Sequence, residues 1–300
     1  NAAVYLGQPG QPLSDAAAQQ YYTDAITYCN KITSAGYSLH PNYRELMLAD
    51  NNLNTDEFIF VIAYDGTYTQ NWGGTTYLTH GPAAVPGSIS GTSGNWGGLR
   101  VTQNFVGLYS DPSGATDKRP QFYTSGQNLI MNGLYTGTDG YSVTKYRNLT
   151  RTGGAAPHAD PAGNWVDIDF PLFRLGEIYL IYAEAVLRGG SGGDIGTALG
   201  YINKLRGRAY ANDPNSTSGN ITSGQLTKDF ILDERGRELY WEALRRTDLI
   251  RYGKFTTSNY LWAWKGGTFA GAQVLDKYNI FPIPTTDLSA NPNLVQNSGY

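Results

Sequence analysis

From Asp65 to Asp169 the chain carries almost no sustained hydrophobic periodicity. Gly73-Gly74, Gly97-Gly98 and Gly153-Gly154 punctuate this stretch, with Pro82, Pro86, Pro112, Pro120, Pro157 and Pro161 among them. Glycine and proline at this density specify turns rather than long helices or strands. An irregular run of roughly a hundred residues is uncommon in a compact domain unless its loops carry function. A binding or catalytic surface is therefore expected in this stretch, and the flanks must supply the scaffold.

Both flanks read as helical. Residues 14–35 form a helix candidate, with Ser14 as cap, Asp15 in the first turn, Gly36 as stop and Tyr22, Ile26 and Cys29 on the apolar side. Glu57–Tyr64 (EFIFVIAY) is a strand-like run of β-branched and aromatic residues. Regularity returns at Leu172, where Leu175, Ile178, Tyr179, Tyr182 and Val186 follow the spacing of an amphipathic helix. Gly189–Gly193 breaks that helix, Asp194 caps the next one, and Leu199, Ile202, Leu205 and Ala209 form its apolar face. With small Gly176, Ala183, Ala185 and Ala198 permitting close approach, the pair reads as one tetratricopeptide-like repeat. One such unit cannot bury its stacking face alone, so a longer array is expected, with residues 14–35 as part of another repeat. Leu226–Tyr252 predicts a third, longer helix capped by Thr227, with Glu242/Arg246 and Asp248/Arg251 at pairing distances along it. Tyr278–Pro284 is extended.

The composition narrows the partner class. Charged residues are 16%, against roughly 25% in ordinary soluble domains, while there are 37 glycines, 23 tyrosines and 13% aromatics. A net charge of −3 and a pI near 5.6 leave no basic footprint for nucleic acid or anionic lipid. A polar, nearly uncharged, aromatic surface suits neutral hydroxylated ligands, of which carbohydrates are the obvious class. No apolar run approaches the roughly 18 residues of a membrane span. Cys29 is the one cysteine, so no disulfide forms within the chain, and its helical context predicts a buried, inert thiol.

A set of segments carries a resemblance. PLFRLGEIYLIYAEAVLRGG (171–190), ALGYINKLRGRAY (198–210), ILDERGRELYWEALRRTDLIRYGKF (231–255), YLWAWKGG (260–267) and FPIPTTDLSANPNLVQNSGY (281–300) occur in the order found in the C-terminal half of SusD/RagB outer-membrane proteins. NAAVYLG, LMLADNN and NWGGTTYL extend the resemblance upstream, toward the starch-binding founding member of that family. It implies a mainly α fold of tetratricopeptide-like repeats with a large loop-rich, partly β ligand-binding face, here a single domain over 1–300. It also implies a surface lipoprotein of the outer membrane that delivers a glycan to a SusC-like TonB-dependent transporter. The family's lipidated cysteine and first repeats belong to an N-terminal half that this sequence does not contain. Contact with the membrane is then expected only through that anchor.

In the founding member an arc of aromatic rings cups a curved α-glucan. Two of its positions match Trp72, in Asn71-Trp72-Gly73-Gly74, and Trp96, in Asn95-Trp96-Gly97-Gly98, and the first of them is tyrosine in that protein. The chemistry supports the match. An indole offers a negatively polarised face to the weakly positive C–H face of a pyranose, and flanking glycines let a sugar come close. Asn71, Asn95 and Arg100 are the candidate donors to sugar hydroxyls, with surface solvation as their competing role. Trp262 and Trp264 alternate as packing residues do. Starch is the first choice of ligand, with other glycans open.

Asp50, Asn52, Asp56 and Glu57 offer oxygen ligands that a structural calcium could use, but their spacing fits no EF-hand and a polar turn is the default reading. No cofactor is expected, and no enzyme. His40, His80 and His158 have no metal-ligand spacing, no G-x-S-x-G elbow occurs, and Gly190/Gly192 lack the third glycine of a dinucleotide fingerprint. Asp167 and Asp169 resemble a glycosidase pair only by proximity in sequence, and a capping or turn role suits them better. The rival reading from another class is a protein-interaction scaffold built on the repeats. A scaffold needs no coplanar, exposed tryptophans on the loop face.

Overall fold

The computed structural model describes residues 13–300. The NAAVYLG segment lies outside the described residues. Helix α1 spans Gln19–Thr33, preceded by a turn in which Ser14 Oγ accepts the Ala17 amide. Strand β1 is Phe58–Ile62, and helix α2, Gly74–His80, follows it. Two short strands, β2 (Phe122–Tyr123) and β3 (Ser142–Val143), pair antiparallel within the irregular region.

The C-terminal side is regular. Strand β4 (Phe170–Arg174) pairs antiparallel with β1, Phe58 opposite Arg174 and Ile62 opposite Phe170, with a bulge between. The sequence reading placed no strand here and had regularity return at Leu172, with helical spacing from Leu175. Helix α3 starts only at Leu175 and runs to Leu187, and α4 spans Ile195–Ala211. Asp194 caps α4 as predicted, accepting the Thr197 amide at 2.8 Å. Helices α3 and α4 pack as a hairpin, and the Tyr179 and Tyr201 rings stack between them, 4.2 Å apart and 3° from parallel. Helix α1 packs on the other side of α3, joining it through Tyr22, Ile26 and Cys29. The chain is thus mainly helical, with a tetratricopeptide-like layer of α1, α3, α4 and the next helix.

That next helix is not the single long one predicted. Helix α5 spans Lys228–Leu239, capped by Thr227 as expected, and α6 resumes only at Arg245 and ends at Arg251. Between them Trp241 and Ala243 take φ of 61° and 62°, a left-handed backbone that ends a helix. Helical spacing in the sequence continues through this point, so periodicity alone cannot see the break. One consequence is that Glu242 does not pair with Arg246. It turns inward to Arg174 and Lys145, while Arg246 donates to the Tyr278 carbonyl. Asp248 and Arg251 do pair, at 2.7 Å.

Where the helical layer meets the loop region lies a buried ionic junction. Arg174 reaches Glu57 at 2.9 Å, Glu238 at 2.8 Å and Glu242 at 2.7 Å. Arg208 on α4 bridges Glu57 at 2.6 Å and Glu238 at 2.5 Å. Arg119 holds Asp117 and Glu234, and Lys145 holds Glu242 at 2.6 Å and the Tyr240 carbonyl. Gly176 makes room: a Cβ there would lie 2.4 Å from Arg174 Nη1. A second apolar cluster, including Tyr43, Leu46, Met47, Val143, Tyr146, Val166, Ile168 and Tyr240, underlies the loop face. The loops therefore rest on a packed base joined to the helices by a network of buried, mutually paired charges.

Candidate functional site

The aromatic face is assembled from three turns and one short helix. At the first turn, Asn71 Oδ1 accepts the Gly73 amide at 2.8 Å, closing a side-chain turn around Trp72. Gly74 follows at φ +57°, and a Cβ there would sit 1.7 Å from the Tyr64 hydroxyl, so the entry to α2 requires glycine. Helix α2 then presents Tyr77 and ends at His80. At the second turn, the Trp96 amide donates to the His80 carbonyl at 2.7 Å, and the Gly98 and Leu99 amides donate to Gly81. The third turn holds Trp165, a residue the sequence reading did not select. Asp160 accepts the Asn164 amide at 2.7 Å, and the Ala162 and Trp165 amides as well; the Asn164 bond leads in holding its carboxyl below the usual carboxylate range.

These elements bring Trp72, Trp96 and Trp165 together. The Trp72 ring lies 4.0 Å from Trp165, tilted by 48°, and 5.7 Å from Trp96 at 61°. Tyr77 joins Trp96 at 5.9 Å and 51°. Trp72 and Trp96 are 53% and 46% exposed, so both indoles face water, as the sequence reading required. Tyr77 is exposed too, while Trp165 is half-buried as a wall behind Trp72. The rings are not coplanar, which corrects one expectation: at 61° they form an angled surface. A signal for Trp165 was present, because Asn-Trp recurs at 71–72, 95–96 and 164–165.

The candidate polar donors divide. Asn71 stands beside Trp72 and shapes its turn. The Asn95 side-chain amide donates to the Val85 carbonyl, which anchors the Trp96 turn. Arg100 is drawn away from the rings: its guanidinium donates to the Thr136 carbonyl at 3.0 Å and the Leu134 carbonyl at 2.6 Å, tying down a neighbouring loop. Holding loop backbone is thus the observed work of Asn95 and Arg100, in place of free donation at the surface.

The other candidates separate from this face. Trp262 and Trp264 are half-buried packing residues, as predicted, and Trp264 Nε1 donates to the Met131 carbonyl at 2.7 Å. They line a larger cleft near the C-terminus, in which several rings carry one of the chain's own cations against a face. Lys265 lies over Trp262 at 4.6 Å, and Arg246 over Phe281 at 4.0 Å. The oxygen-rich loop does not converge on a calcium position. Asp50 is taken by Arg151 at 2.9 Å, Asp56 by His40 at 3.2 Å, and Glu57 by the arginines of the junction. Among the described residues no group of three or more His, Cys, Asp or Glu side chains is arranged to hold a metal. Asp167 and Asp169 line a small separate pocket with Asp65 and His158. They cap no helix; they accept the His158 and Tyr64 amides, both at 2.9 Å, which is the turn role. Burial raises both carboxyls despite those bonds.

Comparisons with known proteins agree with this fold. A profile of the SusD family matches residues 124–300. The chain is 34% identical to the starch-binding protein SusD of Bacteroides thetaiotaomicron across its whole length, covering 58% of that protein. It is 33% identical to the SusD-like protein P25 of Formosa agariphila over 43% of this chain and 24% of that one. Among solved structures, surface glycan-binding protein A from Bacteroides thetaiotaomicron superimposes with a TM-score of 0.68 at 25% identity, over 95% of this chain and 60% of that one. The structure of that protein in complex with laminarihexaose matches with the same TM-score at 24% identity, over 94% of this chain and 61% of that one, and speaks for the fold. The chain thus spans about three-fifths of the length of these full-cover relatives. With the helical layer, the loop face and the sequence match in agreement, this chain belongs to the SusD/RagB family.

Proposed function

We propose that the chain binds a neutral oligosaccharide or polysaccharide across the Trp72–Trp96–Trp165 face, with no bond made or broken. The observation that carries this reading is the pair of indoles left half in water at an angle of 61°. Exposing large aromatic surface is unfavourable, so a ring held open on a tight turn calls for an occupant. Pyranose C–H faces fill that role by stacking, while the Asn71 side-chain amide beside Trp72 meets hydroxyl groups. Support for the ligand class comes from relatives named for starch binding and for surface glycan binding. Starch is the first candidate ligand, and the angled rings favour a curved glucan.

The same relatives support a place at the outer-membrane surface and delivery of the captured glycan to a SusC-like TonB-dependent transporter. The lipid anchor would belong to an N-terminal part of a longer protein. Among the described residues no helix is long and apolar enough to cross a membrane.

Affinity electrophoresis tests the reading. The intact chain should be retarded in gels containing starch or another neutral glucan, and Trp96→Ala should lose at least about tenfold in affinity while melting as the wild type does. Unchanged retardation of the variant would refute the assigned face. Release of reducing ends during long incubation with starch would refute binding without catalysis.

A further inference from the structure

The two most exposed aromatic side chains among the described residues are Tyr68, 84% exposed, and Tyr135, fully exposed, and the tryptophan face accounts for neither. A single tyrosine in water is ordinary. What sets these two apart is how they are held, and beside what. Asp65 Oδ1 accepts the Thr67 amide at 2.7 Å and the Tyr68 amide at 2.9 Å, and Thr69 closes the turn by donating from its amide and its hydroxyl to the Asp65 carbonyl. At Tyr135 the Arg100 guanidinium donates to the carbonyls of both flanking residues, Leu134 and Thr136. Beneath that tip, buried Asp139 accepts the Gly133 amide at 2.9 Å and the Asn128 side-chain amide at 3.1 Å, which closes the loop at its base.

The indoles are held by the same device: Asn71 staples the Trp72 turn, Asn95 that of Trp96 and Asp160 that of Trp165. A ring on a stapled turn loses little freedom when a ligand settles on it, so its contact energy is retained in binding. A phenol suits a sugar, with a flat face for C–H groups and an edge hydroxyl that both donates and accepts. The two tyrosine turns adjoin different members of the indole set. Trp72 is in ring contact with both Trp165 and Trp96. The Tyr68 turn lies against the Trp165 turn: a Cβ on Gly66 would sit 2.6 Å from the His158 carbonyl oxygen and 2.9 Å from that of Trp165. Tyr68 is also four residues before Trp72, so their Cα atoms lie within about 14 Å. The Tyr135 loop adjoins the Trp96 turn instead. Arg100 is four residues past Trp96, and the Val101 amide donates at 2.8 Å to the carbonyl of Tyr141, at the end of the loop.

We propose that Tyr68 and Tyr135 are outer subsites of the glycan-binding face, one beside Trp165 and Trp72 and the other beside Trp96. Each stacks on a sugar beyond those the indoles hold, so the surface prefers long chains. This rests on the glycan reading above and narrows its ligand class to chains that run past the indoles. A short oligosaccharide meets the indoles alone, whereas a long one adds a weak contact at each tyrosine, and weak contacts along one chain multiply in affinity.

The test is calorimetric titration of the intact chain with maltotriose and maltoheptaose, and with laminaritriose and laminarihexaose as a second short and long pair. Wild type is expected to bind the long member of at least one pair about tenfold more tightly than the short one. For that pair, Tyr68→Ala and Tyr135→Ala should each weaken the long chain about three- to tenfold and leave the short chain within about twofold of wild type. Tyr68→Phe and Tyr135→Phe keep the flat face and should retain most of the long-chain affinity. Both side chains stand in water, so all four variants should melt as wild type does. Where the short chain binds too weakly to titrate, the contrast between alanine and phenylalanine variants on the long chain decides. Alanine variants that bind the long chain as wild type does, or a loss shared equally by the short chain, would overturn the proposal. A loss in one alanine variant alone would overturn the two-ended arrangement. In each of these cases the glycan reading stands if Trp96→Ala still loses the long chain. If wild type binds no probe, or Trp96→Ala binds as wild type does, the glycan reading itself fails, and this proposal with it.

Discussion

Replacing Arg174 with Met tests how the loop face is joined to the helices. The guanidinium makes bonds of 2.7 to 3.0 Å to three carboxylates, Glu57, Glu238 and Glu242, and to the Glu238 carbonyl, all in the interior. Methionine fills similar volume but leaves those carboxylates facing one another with only Arg208, Arg119 and Lys145 to answer them. Breaking a buried pair from one side costs about 3–5 kcal/mol, and a group serving three partners belongs at the upper end. At about 2–4 °C per kcal/mol for a chain of this size, a 5 kcal/mol loss lowers the melting temperature by roughly 10–20 °C. Differential scanning calorimetry at pH 7 reads this directly. The double variant Arg174→Met/Glu242→Gln should lose less than the sum of its single variants, because one uncompensated charge has gone. A single-variant loss under about 1 kcal/mol, or strict additivity, would refute the claim that this junction carries stability.

Two further outcomes follow from buried groups. Burial alone would raise the Glu238 carboxyl, but Arg208, Arg174 and Arg119 outweigh it and hold it at about 2; Arg251, Arg235 and Arg188 do the same for Glu184, also at about 2. Both lie below the roughly 4.3 of an unfolded glutamate, so their stabilisation is complete above that value and is lost as pH falls toward about 2. Melting temperature should therefore decline steeply below about pH 4.5; a flat profile down to pH 3 would contradict the assignment. Burial, with Glu177 second, pushes the Cys29 thiol up to about 12. A disulfide reagent at pH 8 should therefore react at least about a hundredfold more slowly with the native chain than with the unfolded one, and equal rates would show the thiol to be open.

The helical half was the more legible part of the fold. Helices α3 and α4 declare themselves by spacing, by the Gly189–Gly193 break and by the Asp194 cap, all of which are local signals. Strand β4 was missed because Phe170–Arg174 is a short run without alternation, and its partner β1 lies more than a hundred residues earlier. The break after Leu239 rests on left-handed backbone at Trp241 and Ala243, residue types that do not advertise it. Glu242 and Arg246 have ideal helical spacing, yet the break sends Glu242 to Arg174 instead, a long-range choice invisible to local pattern. In the site, glycine turns pointed to Trp72 and Trp96, whereas Trp165 has no paired glycines after it and becomes a neighbour only through the folding of the third turn.

Oxidative footprinting of the six tryptophans with and without saturating maltoheptaose addresses the central claim most directly. The account predicts that bound glucan slows oxidation of Trp72 and Trp96 severalfold, with no change at Trp262 and Trp264. Bound sugar that leaves Trp72 and Trp96 as reactive as before, or that protects the C-terminal cleft instead, would contradict it.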